Sequence, residues 1–239
     1  IEPSPFDEST CYFAAHAYRI DNTKPYIFRT TDYGKTWQLI TTGLPENVYA
    51  RCVREDPNRK GLLYAGTETG VYVSFDNGNH RHSLQQNLPV TPVHDIQNKK
   101  DMKEIVLATH GRAFWVLDDA TPLYEMSSDS NKISAQVFTP ATSYRMDGGQ
   151  IDDPTLQDGV NAPNGVIVYY RLTKPVSKEL KLEFLTGKGD SIITYSNLKD
   201  KSGKEVKKDE DFYQEKKDKL EDVLQNEPGT YRFVWDMNY

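Results

Sequence analysis

Thr30-Thr31-Asp32-Tyr33-Gly34-Lys35-Thr36-Trp37 reads as a turn with its own chemistry, and the first half of the chain repeats around it. The alternating run Tyr26-Ile27-Phe28 leads in and Trp37-Gln38-Leu39-Ile40 leads out, so the segment predicts a β-hairpin with a polar tip. The Asp32 carboxylate is placed to accept hydrogen bonds from backbone N–H groups a few residues on, as in an Asx-turn, and Gly34 supplies the positive φ of a tight reversal. Thr30 and Thr36 are suited to bond local backbone as well. Trp37 is expected to cover the turn from the apolar side, burying its ring while the indole N–H finds one acceptor.

Ser74-Phe75-Asp76-Asn77-Gly78-Asn79-His80 brings back the Ser/Thr, Asp and Gly in register, with Asp76 44 residues after Asp32. Ala65 to Asp76 aligns with Ala108 to Asp119 without a gap, which makes Asp119, 43 residues beyond Asp76, the mark of a decayed third copy. A period of this size, with strands rather than helices inside each unit, predicts a β-propeller. Thr30 to Trp37 resembles the Asp-box of the BNR repeat, S/T-x-D-x-G-x-T-W, of sortilin-like, sialidase-like and xyloglucanase-like propellers. The first copy matches every fixed position; the second keeps Ser74, Asp76 and Gly78 but carries His80 and Arg81 where Thr and Trp are expected.

Composition narrows the field. The 37% hydrophobic and 11% aromatic content, with 15 Tyr, suits strands better than helices. A net charge of −6 offers no basic field for nucleic acid, and no run of 18 apolar residues is present to span a membrane. Three units fall short of the roughly 4 to 8 blades that close a ring. The chain is therefore expected to be a C-terminal fragment of a larger protein, with the rest of the parent propeller as one partner. Cys11 and Cys52, on strands of successive units, are expected to be buried free thiols rather than a disulfide.

The fold class expected is all-β: a partial β-propeller of about three four-stranded blades over 1–146, a Gly-, Asp-, Asn- and Pro-rich linker over 147–165, and a second β domain over 166–239. A longer connection is expected from Tyr18 to Pro25, and a further outer strand around Ala135 to Phe138. In the second domain Val166 to Leu172, Leu180 to Leu185, Ser191 to Tyr195 and Thr230 to Trp235 alternate as half-buried strands. Asn161 to Gly165 and Pro228 to Asp236 resemble the small immunoglobulin-like domain related to the flagellar hook-capping protein, which implies an immunoglobulin-like β-sandwich. The Lys-, Asp- and Glu-rich stretch from Lys199 to Glu227 reads as a surface excursion, partly helical around Asp211 to Leu224.

Antiparallel alternation puts the Asp-box turns at one rim and the second-to-third-strand loops at the other. Ligands bind the rim away from the Asp-boxes in the sialidases this chain resembles, which makes Thr30, Asp32, Gly34, Trp37, Ser74, Asp76 and Gly78 structural, together with Asp119. The opposite loops carry His16, Tyr18 and Arg19, then Thr67 and Glu68, then His110 and Arg112. Of these, His16, Arg19, Glu68, His110 and Arg112 are the candidate ligand-binding residues, suited to sugar hydroxyls, a carboxylate or a peptide terminus. The alternative is that His110 and Arg112 bond backbone carbonyls of neighbouring blades.

The function this predicts is a non-catalytic module that binds a glycan, peptide or protein, extracytoplasmic by resemblance alone. The alternative is the C-terminal part of a glycoside hydrolase whose acid and base lie in upstream blades. An inverting hydrolase requires two carboxylates roughly 6.5 to 9.5 Å apart, and Glu68 is the one carboxylate the pattern places on that rim. The spacing of His80 and His82 pairs with no Cys or acidic ligand, so no metal and no cofactor is expected. Unpaired strand edges invite a dimer of the fragment.

Overall fold

The structure, a computed structural model, describes residues 1–127, 133–144, 165–198 and 223–237. The expected linker at 147–165 lies outside the described residues except for Gly165, and so does the charged stretch up to residue 222. The chain divides into two compact units, Ile1–Ser130 and Asn131–Tyr239.

The first unit is a partial β-propeller of three antiparallel sheets. Sheet one runs β1 (Glu2–Pro3), β2 (Cys11–Ala17), β3 (Asn22–Thr30) and β4 (Gln38–Leu39) in sequence order. Sheet two repeats the meander with β5 (Ala50–Glu55), β6 (Leu63–Thr67), β7 (Val71–Ser74) and β8 (His82–Ser83). Sheet three holds β9 (Val93–Lys99), β10 (Glu104–Thr109) and β11 (Phe114–Leu117). The expected long connection after Tyr18 is shorter than read from sequence. β3 begins at Asn22, and only a single 3-10 turn over Tyr18–Ile20 and the left-handed Asp21 separate it from β2.

Strand alternation decides which neighbour each face meets. Tyr12, Ile27 and Ile40 of the first sheet pack on Val53, Leu63 and Ala65 of the second. Tyr64, Val71 and Val73 on the other face of the second pack on Ile96, Ile105 and Leu107 of the third. Each such aliphatic side chain contributes about 1.5–3 kcal/mol when fully covered. At the inner strands Arg54 of β5 reaches Asp95 of β9 at 2.5 Å and Glu2 of β1 at 3.6 Å, so one guanidinium ties all three sheets. Cys11 is half-buried and Cys52 buried, and both are free thiols.

The turn after the third strand is built as its residues dictate. Thr30 Oγ1 donates to Asp32 Oδ1 (2.8 Å) and accepts from Gly34 N (2.9 Å), while Asp32 accepts from Thr36 N (2.9 Å) and Thr36 Oγ1 (2.6 Å). Left-handed backbone falls on Tyr33 (φ 59°) as well as Gly34 (φ 83°). In the second copy Ser74 Oγ donates to Asp76 (2.8 Å) and accepts from Gly78 N (2.8 Å), and His80 N donates to Asp76 (2.9 Å). The His80 ring, Nδ1 to Asp76 Oδ2 at 2.7 Å, stands in for the Thr36 hydroxyl. Arg81 likewise replaces Trp37: Trp37 Nε1 donates to Gly34 O (3.1 Å) and Arg81 Nη1 to Gly78 O (3.0 Å). The Trp37 ring stays 42% exposed, set edge-on against Phe13, so the expected burial is not what the turn uses it for.

The third copy departs from the pattern. Leu63 pairs with Ser74, but Ile105 pairs with Leu117, so the gapless alignment is one residue out of register along β10. Asp119 Oδ1 accepts Thr121 N (2.8 Å) and opens a short helix α1 (Thr121–Glu125) in place of the hydroxyl–carboxylate turn of the first two copies. Arg59 caps its end by donating to Leu123 O and Met126 O, both at 2.5 Å. No fourth strand of sheet three occurs among the described residues. The strand expected around Ala135 to Phe138 exists as β12 (Ala135–Val137) but pairs with β13 (Val166–Leu172) in the second unit. There the ladder continues with Phe138 N donating to Tyr169 O, because a seven-residue strand presents N–H and C=O groups that require partners.

In the second unit one sheet holds β12, β13 and β16 (Gly229–Trp235), and the other β14 (Lys181–Leu185) and β15 (Ser191–Ser196). Their facing sides share Tyr170, Leu172, Tyr195, Phe233 and Trp235, with Phe184 against Trp235 at 4.4 Å, which makes a two-sheet sandwich.

Two outcomes follow from the turns. Ser74→Ala strips Gly78 N of its acceptor in a fully buried site, and urea denaturation should show a loss of about 1–3 kcal/mol. Hydrogen bonds from the Thr36 side chain and backbone, then from Thr30, hold the Asp32 carboxyl down at about 2. That value lies below the unfolded one of about 3.9, so its stabilisation is present above about pH 4 and lost as pH falls toward 2. Thermal midpoints should drop across that window, and Asp32→Asn should flatten the drop.

Candidate functional site

The amide of the residue after each Asp fixes which turns share a rim. Tyr33 N donates to Ser9 O (3.1 Å), Asn77 N to Gly61 O (2.9 Å) and Ala120 N to Lys103 O (2.9 Å). The Asp32 and Asp76 turns and the Asp119 segment therefore sit against the first-to-second-strand turns, and the second-to-third loops form the other rim. Both Asp32 and Asp76 spend their carboxylates inside their own turns. Burial alone would raise Asp76, but the His80 backbone and ring and the Ser74 hydroxyl together outweigh it and leave the carboxyl lowered.

At the opposite rim the first two sheets bring a compact group together. Tyr18 and Tyr49 stack with centroids 4.9 Å apart and planes 14° apart. His16 lies 5.0 Å from the Tyr18 ring and 5.9 Å from Tyr49. The Arg51 guanidinium covers both tyrosines, 4.9 Å from the Tyr49 centroid and 5.5 Å from Tyr18. Its Nε and Nη2 donate to Glu68 Oε2 at 2.9 and 2.7 Å, and Nη2 also to Tyr49 OH at 3.0 Å. Glu68 N in turn donates to Tyr49 O (3.2 Å), which locks the loop after β6 onto the start of β5. Arg19 lies 6.0 Å from the Tyr18 ring and is otherwise open to solvent.

Sheet three adds a stacked pair of imidazoles, His94 on β9 and His110 after β10, with centroids 5.1 Å and planes 16° apart. His110 N donates to Pro92 O (2.9 Å), so the loop's backbone is held while its ring faces solvent. Burial first, then the Arg51 and His110 charges, lower the His94 pKa, and Glu68 opposes them. His94 is thus electrostatically joined to the Arg51–Glu68 pair on the neighbouring sheet.

Of the five residues expected at the site, the structure joins His16 and Glu68 to one cluster, places Arg19 at its edge, and sets His110 beside it through His94. Arg112 is exposed on the same loop as His110; its carbonyl accepts Trp115 Nε1 (2.9 Å), and no contact joins its side chain to the cluster. Tyr49, Arg51 and His94 lie outside the second-to-third loops, at or just before the start of a first strand. The path from a fourth strand into the next first strand reaches the same rim, and that topological rule would have found them. Among the described residues no group of three or more His, Cys, Asp or Glu side chains gathers as a metal site.

No protein-family model matches the chain, and no curated protein matches it. Among solved structures the chain is similar to YCF48 bound to D1 peptide, with a TM-score of 0.27 and 17% identity over 73% of this chain. The match spans 48%, about half, of that structure's chain.

Removing a positive neighbour raises the affinity of an imidazole for its proton. Arg51→Gln should therefore move the His94 pKa up, and Glu68→Gln should move it further down; a ring-proton NMR titration reads both directions. Because the folded value lies below the unfolded one, near 6.5, the unfolded chain binds the extra proton. His94 thus costs stability as pH falls through that value, and His94→Phe should lessen the loss.

Proposed function

We propose that the first unit is a non-catalytic binding module, part of a larger BNR-type propeller protein, that holds a peptide or protein on the rim opposite its Asp-box turns. The observation that carries this reading is the cluster of Tyr18, Tyr49, Arg51, Glu68 and His16. Stacked tyrosines with a fixed guanidinium offer a large, rigid and amphipathic contact surface at low entropic cost. Such a surface suits recognition of side chains and backbone amides.

The hydrolase alternative asks Glu68 to serve with a second carboxylate across a cleft. Its carboxylate is instead bonded twice to Arg51, which suits a positioning part. An immunoglobulin-like identity for the second unit and an extracytoplasmic location belong to the same proposal and rest on resemblance.

The test is a screen of the chain on parallel peptide and glycan arrays, followed by a reducing-sugar assay on any bound glycan. Bound peptides should lose at least tenfold in affinity in a Tyr18→Ala, His110→Ala double variant and keep it in Asp32→Asn. Sugar release, or peptide binding indifferent to the rim variant, would overturn the reading.

A further inference from the structure

The imidazoles of His94 and His110 are left over from the contacts that build the rim. Centroids 5.1 Å apart and planes 16° apart set two ionisable rings face to face, and both residues are exposed. Neither ring has a hydrogen-bond partner among the described residues, whereas Arg51 beside them is spent on Glu68 and Tyr49. Parallel rings at this spacing keep their in-plane nitrogens side by side, so they do not converge on one metal ion.

The charges around the pair are unequal. Three elements face His94: β5 with Arg51, the loop after β6 with Glu68, and the loop after β10 with His110. Asp95, the next carboxylate along β9, is bound to Arg54, and Arg112 on the loop of His110 is exposed. With both rings protonated, Arg51, His94 and His110 set three cations against the one carboxylate of Glu68, whose Oε2 already accepts twice from Arg51. Burial, then the Arg51 and His110 charges, make His94 a poor base in the free protein. An anion at the solvent edge of the pair reverses this balance, because it accepts N–H from the rings and is attracted by their charge.

We propose that the His94–His110 pair, backed by Arg51, is a proton-operated subsite that receives the carboxylates of an acidic peptide segment and takes up protons as the segment binds. The subsite belongs to the rim proposed above as a peptide site and rests on that reading. Tyr18 and Tyr49 supply apolar surface next to it, and the imidazoles supply the charge selectivity. Because a bound carboxylate favours the protonated ring, affinity rises as pH falls through the imidazole range, around and below roughly 6.5. The glutamate carboxyls of a peptide, near about 4.3, stay ionised at the lower end of that range. A ring whose pKa rises by about one unit on binding gives about a tenfold gain.

The probe is a rhodamine-labelled hexaglutamate peptide with an amidated C-terminus. It is titrated against the full chain by anisotropy at about pH 8 and about pH 5.5, at constant ionic strength, with hexaglutamine as its uncharged counterpart. Affinity for hexaglutamate should be about tenfold higher at the lower pH. His94→Gln or His110→Gln should remove that gain, while His82→Gln, on the outer strand β8, keeps it. Ring-proton NMR with the unlabelled peptide should show the His94 pKa raised by binding. No binding of hexaglutamate, equal affinity at the two pH values, or a gain that survives both glutamine substitutions overturns the inference. Array peptides that bind through Tyr18 with no regard to charge or pH overturn it too, while leaving the rim standing as a peptide site.

Discussion

A hydroxyl that donates to a carboxylate two residues on and accepts from an amide four residues on is the constraint from which the first unit is built. Thr30 and Ser74 each do this, and the arrangement survives replacement of Thr36 by His80 and of Trp37 by Arg81 because the replacements reach the same acceptors. Each hook ties an outer strand two residues long that could not hold its place by ladder bonds alone. The hook also spends its carboxylate on its own turn. Where it decays at Asp119, a short helix follows and no outer strand of that sheet occurs among the described residues.

Sheets pinned at one corner stack because covering their aliphatic faces removes apolar surface from water. The second sheet is covered on both faces and carries the deepest core of the unit, with Leu62, Leu63, Tyr64 and Ala65 all fully buried. Burial of this kind pushes up the thiol of Cys52, to about 12, which makes it an inert packing group rather than a nucleophile. The outermost sheets have one covered face each among the described residues. Phe13, Tyr26 and Phe28 stack on the outer side of the first, and Phe114 and Val116 stand on the outer side of the third. The polar groups divide by location: hooks at one rim and an aromatic and imidazole cluster at the other.

Much of this was legible in the residues. Alternation located nearly every strand to within a few positions, and the two good copies of the turn placed the hairpins and the rims. The errors came where a local pattern had two tertiary solutions. Ala135 to Val137 alternates as an edge strand would, but alternation does not say whose edge it joins, and β13 took it. The gapless match of the third copy hid a one-residue register shift, because in strands rich in Val, Ile and Leu on both faces the composition tolerates either register. Trp37 looked like a buried lid, yet its contribution is one indole hydrogen bond and an edge contact with Phe13.

What the amino-acid order determined by itself was local: the repeat, its hydroxyl–carboxylate turns, and the period-2 strands between them, all of which depend on residues within a few positions of one another. The tertiary structure alone decided which residues far apart in the chain would meet. Arg51 finds Glu68 across 17 residues and Arg54 finds Asp95 across 41, and His94 meets His110 only because β9 and β10 pair. Such contacts are set by the packing angle and register of whole sheets, which are summed from many weak apolar contacts and leave no mark at any single position.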